Sequence, residues 1–376
     1  MKKKILFVIP EYSHGGTNKS LENLLHFLDT YKYSVSIYSL YEDGGKLYKD
    51  LFKPYIVKKS LAYHLIHDNV VTRKIAGAII RLFPSVTFDK LYQYEANRLQ
   101  KKYKFQTVVA FQESTSTLFV SLIKNVPNKI AWVHCDYANR VRNINRNEEF
   151  DIYRKFDKIV SVSKCAVSSL VKVFPRLGEK TICVYNTIDT NEVFRLSEQQ
   201  TNPYNSLDGF IILSVGRFVR GKQFYKIPEI VKKLTRLTSC DFCWYIIGDG
   251  ADMNSTIEAV NAMGLQKYIK ILGAKDNPYP YFKYANLHVC TSASESFSYT
   301  IAESKILHVP VLCNDFPVSS EVVSADEGWI CNIDDMAMVL KDIIEDKNGM
   351  YSNVKNALAD YEYPNEENVK MVNGLF

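Results

Sequence analysis

Two glutamates eight residues apart, Glu295 and Glu303, lie between a serine-rich loop and an apolar run in residues 290–317, CTSASESFSYTIAESKILHVPVLCNDFP. The apolar spacing predicts a helix over residues 299–307, with Glu295 in the loop above it and Glu303 in its first turns. The amides of Ser298, Tyr299 and Thr300 then form the start of that helix, where unsatisfied N–H groups favour an anion. A carboxylate in such a place is often only a cap or a dipole partner. A second group joins Gly216, at the end of an apolar run, to Arg217 and Lys222 in one loop. Arginine can grip phosphate oxygens through two parallel N–H bonds and lysine adds a point charge, so the pair suits a diphosphate. An ordinary basic surface loop has the same composition. Gly15 and Gly16 precede another helix start and permit close approach of a phosphate or sugar, or simply form a turn. Their surroundings, HGGTNK, are not the glycine fingerprint of a dinucleotide site, which argues against a nicotinamide dehydrogenase.

These residues need a scaffold, and the apolar runs supply one. Residues 5–9, 35–40, 107–111, 129–133, 158–162 and 181–185 read as strands of a first half, several of them continuous enough to be buried on both faces. Leu21, Leu24, Leu25 and Leu28 recur as the stripe of an amphipathic helix after the first of them. Helices are expected near residues 70–82 and 86–100. After a polar stretch the alternation restarts, with strands at residues 210–215, 242–247, 269–272, 287–291 and 310–313. Helices are expected between these strands and at residues 336–344 and 351–359. The fold class is therefore α/β, two doubly wound domains in tandem. The expected division is 1–186, a linker at 187–208, 209–360, and a segment 361–376 expected to pack back on the first domain. Ligands of such sheets bind beyond the carboxyl ends of the strands. That rule selects the loops at residues 11–18, 134–139, 216–222 and 292–298, so a ligand is expected in a cleft between the domains.

Composition narrows the class. The 376 residues, 47% hydrophobic and 23% charged, exceed one ordinary core and fit neither disorder nor a fibre. The chain opens MKKKILFVIPEY, whose five apolar residues before Pro10 are too few for a signal peptide, so a strand in a cytoplasmic protein is expected. The eight cysteines mostly adjoin apolar runs and read as free thiols, and the lone Cys240-x-x-Cys243 pair lacks the further ligands of a zinc site. Residues 46–104 carry a net charge of +9, interleaved with Tyr, Phe, Leu and Ile, and residues 324–376 carry −7. The basic stretch fits either anionic lipid headgroups or a solvated helical face. Nothing points to nucleic acid.

At this point the residues resemble a family. Glu295 and Glu303 form an E-x7-E motif followed by KILHVPVLCNDFPVSSEVV, and VGRFVRGK, IIGDGADM (with Gly248) and VYNTID occupy the other expected places. With the Gly15-Gly16 loop and AWVHCDY, the chain is similar to the retaining family 4 glycosyltransferases of GT-B architecture, in which two Rossmann-like domains face a central cleft. That resemblance implies a donor that is a UDP- or GDP-sugar and no metal cofactor, and the chain has no Asp-x-Asp pair. It implies that Glu303 binds the ribose hydroxyls, that Glu295 and the amides of Ser298, Tyr299 and Thr300 hold the donor sugar and distal phosphate, and that Arg217 and Lys222 neutralise the leaving diphosphate. Gly16 would approach the same phosphates, and His134 would lie near the donor sugar, although a histidine after a strand can equally be a satisfied core residue. The implied acceptor is a glycan or polyprenyl-linked glycan in cell-surface polysaccharide synthesis, with peripheral contact to an anionic membrane at its cytoplasmic face. Family glycines are replaced by Ser296, Gln223, His308 and Thr187. A sugar-nucleotide epimerase of the same architecture and a non-catalytic sugar-binding protein remain as alternatives.

Overall fold

The computed structural model describes residues 1–12, 15–41, 46–59, 88–140, 145–204 and 209–376. They form two compact units, Met1–Ile188 with Asn365–Phe376, and Asp189–Pro364. Each unit contains one six-stranded sheet. In the first the strands are β1 (Lys3–Ile9), β2 (Tyr33–Ser39), β3 (Thr107–Ala110), β4 (Asn128–Val133), β5 (Lys158–Ser161) and β6 (Thr181–Cys183), ordered β2-β1-β3-β4-β5-β6. In the second they are β7 (Phe210–Val215), β8 (Phe242–Ile247), β9 (Ile269–Ile271), β10 (Leu287–Cys290), β11 (Val311–Asn314) and β12 (Gly328–Cys331), ordered β12-β11-β10-β7-β8-β9. Every pairing is parallel. Both units are thus doubly wound.

Parallel strands covered by helices on both faces must be apolar on both faces. Ile5 to Ile9 are accordingly all fully buried, and so is nearly all of the β8 sequence FCWYII. The interior of the second sheet also carries a polar relay. Trp244 Nε1 donates to Ser214 Oγ at 3.0 Å, and Ser214 Oγ donates to the Val289 carbonyl at 2.6 Å. These bonds link β8, β7 and β10 without leaving a buried donor unmet.

The strand orders create two switch points. The chain winds outward from β1 through β2 on one side and from β3 on the other, and likewise from β7 through β8 and from β10 through β11. Loops on either side of a switch point diverge and leave a crevice between them. In the second unit these are the loops after β7 and β10, the ones that carry Arg217, Lys222 and Glu295.

The structure departs from the expected elements in two places, residues 187–208 and β12. Residues 187–208 are not a plain linker. Thr190–Ser197 is a helix of the second unit, with Asp189 accepting the Glu192 amide at 3.0 Å and Val193 and Ser197 buried. A helix this short gives too few repeats for its periodicity to stand out from the polar residues around it. The strand β12 has no continuous apolar run because it is a four-residue edge with Ile330 exposed. The helix Asn365–Asn373 and the residues after it belong to the first unit. Lys3 Nζ donates to the Phe376 carbonyl at 2.8 Å, Asn128 Nδ2 donates to the Leu375 carbonyl at 3.0 Å, and the Phe376 ring meets Phe7 edge-on. The helix expected near residues 70–82 lies outside the described residues. The one expected at residues 86–100 is Phe88–Tyr103.

Candidate functional site

Within the second unit the structure brings the E-x7-E loop and the basic loop together. Lys222 closes a single 3-10 turn, Arg220–Lys222, and its Nζ donates to Glu295 Oε1. Glu295 also accepts Ser292 Oγ at 2.7 Å. The two loops are stitched by backbone as well. Ala293 N donates to the Gly221 carbonyl at 2.8 Å, and Thr291 Oγ1 donates to the Lys222 carbonyl at 2.7 Å. Burial alone would lower the Lys222 pKa, but the adjacent Glu295 carboxylate outweighs it and the ammonium is held above its usual value. Lys222 is therefore a cation at any working pH. Arg217 lies in the same loop, exposed and without an ion pair among the described residues.

Glu303 sits in the helix Tyr299–Ile306, 7% exposed, and its Oε1 accepts the Tyr279 hydroxyl at 2.9 Å. That helix begins at Ser298, whose backbone is left-handed at φ 66 and whose side chain makes no capping bond. No acidic residue occupies its first turn. The amides of Tyr299 and Thr300 thus have no side-chain cap, which is the electrostatic condition for an anion site.

Gly248, in the loop after β8, lies against the backbone of the loop after β7. A Cβ there would sit 1.8 Å from the Gly216 carbonyl oxygen, so the missing side chain lets the loop after β8 pack against the loop that carries Arg217. The family glycines that this chain replaces are explained in part. Gln223 and His308 adopt φ 55 and φ 56, the left-handed region that costs a side chain about 1–2 kcal/mol. His308 is held there by a 2.7 Å bond between its Nδ1 and the Leu358 carbonyl. Ser296 and Thr187 are not at positive φ.

Gly15, Gly16 and His134 belong to the first unit. Gly16 opens the helix Gly16–Phe27, and a Cβ at Gly15 would meet nothing, so internal packing does not require that glycine. His134 follows β4. Its ring donates to the Phe111 backbone, while Nε2 is buried with no partner among the described residues. Burial lowers its pKa to about 3. The ring is therefore neutral, and Nε2 presents a lone pair that can accept a hydrogen bond and cannot serve as an acid near neutrality.

Three further residues escaped the sequence reading. Glu113 lies in the loop after β3, 7% exposed, and accepts the His134 amide. Ser292 and Tyr279 orient the two motif glutamates. Glu113 had a signal, since it follows a recognisable strand at its carboxyl end. Nothing in the spacing of Tyr279 and Glu303 suggests their meeting.

Among the described residues, no three His, Cys, Asp or Glu side chains gather in a group able to hold a metal ion. No helix among them is long and apolar enough to cross a membrane.

Known proteins resemble the chain in sequence over part of its length and in fold throughout. Residues 197–359 match the family described as glycosyl transferases group 1. One relative, the N-acetylgalactosamine-N,N'-diacetylbacillosaminyl-diphospho-undecaprenol 4-alpha-N-acetylgalactosaminyltransferase of Campylobacter jejuni, is 25% identical over 209 residues, 56% of this chain and 53% of the relative. Another, the O-antigen biosynthesis glycosyltransferase WclY of Escherichia coli, is 26% identical over 174 residues, 46% of this chain and 47% of the relative. The chain thus spans about half the length of the curated relatives it matches. Among solved structures, a glycosyltransferase from Rickettsia africae superposes with a TM-score of 0.74 at 17% identity, covering 100% of this chain and 98% of the other. HepE of Anabaena, in complex with UDP and glucose, superposes with a TM-score of 0.72 at 16% identity, covering 99% and 97%. Residues 197–359 thus match the group 1 glycosyl transferases, and the two units have the GT-B fold of the solved structures they resemble.

Proposed function

We propose that the chain is a retaining, metal-independent glycosyltransferase that moves a sugar from a UDP- or GDP-sugar to a glycan or polyprenyl-linked glycan acceptor in cell-surface polysaccharide synthesis. The observation that carries this reading is the Lys222–Glu295 ion pair beside the β7/β10 switch point, in the loop that leads into the uncapped helix Tyr299–Ile306. The relatives support it, because one is named for a diphospho-undecaprenol acceptor and another for O-antigen biosynthesis. HepE was solved with UDP and glucose bound.

In the proposed reaction the bond between the anomeric carbon and the diphosphate oxygen breaks with both electrons leaving on oxygen. Lys222 and Arg217 stabilise that growing negative charge, as do the amides of Tyr299 and Thr300. Glu295 holds the donor sugar, and its charge also favours the positive character that develops at the anomeric carbon. The acceptor hydroxyl attacks from the same face, and its proton passes to the departing phosphate, so configuration is retained and no separate base is needed. Glu303 binds the ribose hydroxyls, and His134 Nε2 accepts a hydroxyl of the sugar. The test is to incubate the EDTA-treated protein with UDP- and GDP-sugars and membrane-derived acceptors, and to read nucleotide release and the anomeric configuration of the product by NMR. Transfer with retention is expected. An inverted linkage would reject the retaining mechanism, and activity that disappears with EDTA and returns with a divalent cation would reject the metal-free one. Nucleotide release with an epimerised sugar and no transfer would favour the epimerase reading.

A lipid-linked acceptor fits the surface of the first unit. In the helix Lys46–Phe52, Tyr48 and Phe52 face inward while Leu47 and Leu51, 59% and 41% exposed, point outward beside Lys46, Lys49 and Lys53. Each basic residue near an anionic surface contributes about 1 kcal/mol, and the two leucines add apolar burial. Residues 60–87 of the basic stretch lie outside the described residues. Co-sedimentation with vesicles containing anionic lipid is expected at low salt and should weaken in Leu47→Ser/Leu51→Ser. No binding to such vesicles would point to a soluble acceptor.

A further inference from the structure

Glu303 is a carboxylate almost wholly out of water, and a buried carboxylate needs donors to hold it. One donor comes from a different helix, Tyr279–Tyr284, whose first residue places its hydroxyl 2.9 Å from Glu303 Oε1. Tyr279 is itself 6% exposed. Its backbone N–H donates to Asn277 Oδ1 at 3.1 Å, and Asn277 Nδ2 donates to the Leu196 carbonyl at 2.9 Å. One helical turn on, Phe282 is fully buried against His288. The phenol is thus fixed in place by the fold.

The identity of the donor matters. A lysine or arginine would orient the carboxylate but would also neutralise it and compete with any ligand hydroxyl. A tyrosine hydroxyl orients it and leaves the negative charge in place. A carboxylate has about four lone-pair directions. Tyr279 takes one of these, and the hydroxyls of a vicinal diol would take two. We propose that Tyr279 is a positioning residue, which fixes the rotamer of Glu303 so that the carboxylate reads the two ribose hydroxyls of the donor nucleotide. This inference rests on the reading that Glu303 is the ribose ligand.

Tyr279→Phe keeps the buried ring and removes only the hydroxyl, so the fold is expected to persist. The probes are UDP and GDP, each beside its 2′-deoxy counterpart, with affinities measured by calorimetry and turnover measured with the matching sugar donors. The variant is expected to bind the ribonucleotide about ten-fold more weakly, the usual worth of one hydrogen bond to a charged group. Its binding of the 2′-deoxynucleotide, which keeps only one of the two hydroxyls, should weaken less, so the preference for ribose narrows. Glu303→Ala is the separate arm and should lose that preference entirely. If Glu303→Ala loses it and Tyr279→Phe keeps it, Tyr279 is only a packing residue and the proposal is overturned while the ribose reading stands. An equal loss for ribo and 2′-deoxy ligands in Tyr279→Phe overturns the proposal in the same way. If Glu303→Ala also keeps the wild-type preference, the ribose reading itself has failed.

Discussion

Lys222→Ala is expected to lower turnover by about 100- to 1,000-fold, the effect of removing one group aimed at charge that develops in the transition state. The same change should also destabilise the second unit, because Glu295 loses its cation in a site where its side chain is only 13% exposed. Ser292 still donates to Glu295 and some water can reach it, so the loss should be about 2 kcal/mol, below that of breaking a fully buried pair. Arg217→Ala separates the two consequences. Arg217 is exposed and makes no ion pair with the described residues, so turnover should fall by a similar order while the urea midpoint stays put. The double change Lys222→Met/Glu295→Gln removes both charges and should recover stability without recovering turnover. Steady-state nucleotide release and urea denaturation on the same four proteins provide the test. Near-normal turnover in Lys222→Ala would remove the diphosphate assignment. Equal stability losses in Lys222→Ala and the double variant would mean that the unpaired Glu295 carboxylate is not what destabilises Lys222→Ala.

This double role was not legible in the spacing of the residues. Arg217 and Lys222 announce an anion site by type, and Glu295 and Glu303 announce a loop and a helix start. That Lys222 and Glu295 hold each other depends on strand order, because β7 and β10 become neighbours only when the sheet reverses its winding. Sequence position sets them 73 residues apart. Local patterns were enough for the buried parallel strands, whose apolar runs serve both faces, and for the helix that carries Glu303. They failed where an element is short, half-exposed or defined by its partner. The edge strand β12 shows one face to solvent, and the helix Thr190–Ser197 offers barely two turns of periodicity. Tyr279 looks like an ordinary residue until the fold aims it at Glu303. The replaced glycines illustrate the converse. Resemblance marked four of them, but only backbone angles separate Gln223 and His308, which sit in left-handed conformations, from Ser296 and Thr187, which do not.

Acid is expected to loosen the second unit before neutral-pH function is touched, and His288 is the reason. It lies in β10, 1% exposed, with its Nδ1 3.1 Å from the Leu213 carbonyl and Nε2 without a partner among the described residues. Burial drives its pKa from 6.5 down to about 3; the carbonyl opposes that shift and the nearby Lys222 charge adds to it. The unfolded chain takes up a proton near pH 6.5 and the folded chain does not until about pH 3. Stability from the neutral imidazole is therefore fully present above about pH 6.5 and drains away as pH falls, by up to about 1.4 kcal/mol per unit. By pH 4.5 the loss should reach about 2–3 kcal/mol from this residue alone. His288→Gln keeps a donor for the Leu213 carbonyl and does not titrate, so its stability should fall less between pH 7 and pH 4.5 by that amount. Taking the difference between the two proteins cancels the contributions of His134 and of the carboxylates, which titrate in both. Parallel pH dependences for wild type and variant in urea denaturation would show that His288 is already charged or already solvated in the fold. The expected divergence would place the acid-sensitive point in the strand that leads into the Glu295 loop, so nucleotide binding should weaken over the same pH interval in wild type and less in His288→Gln.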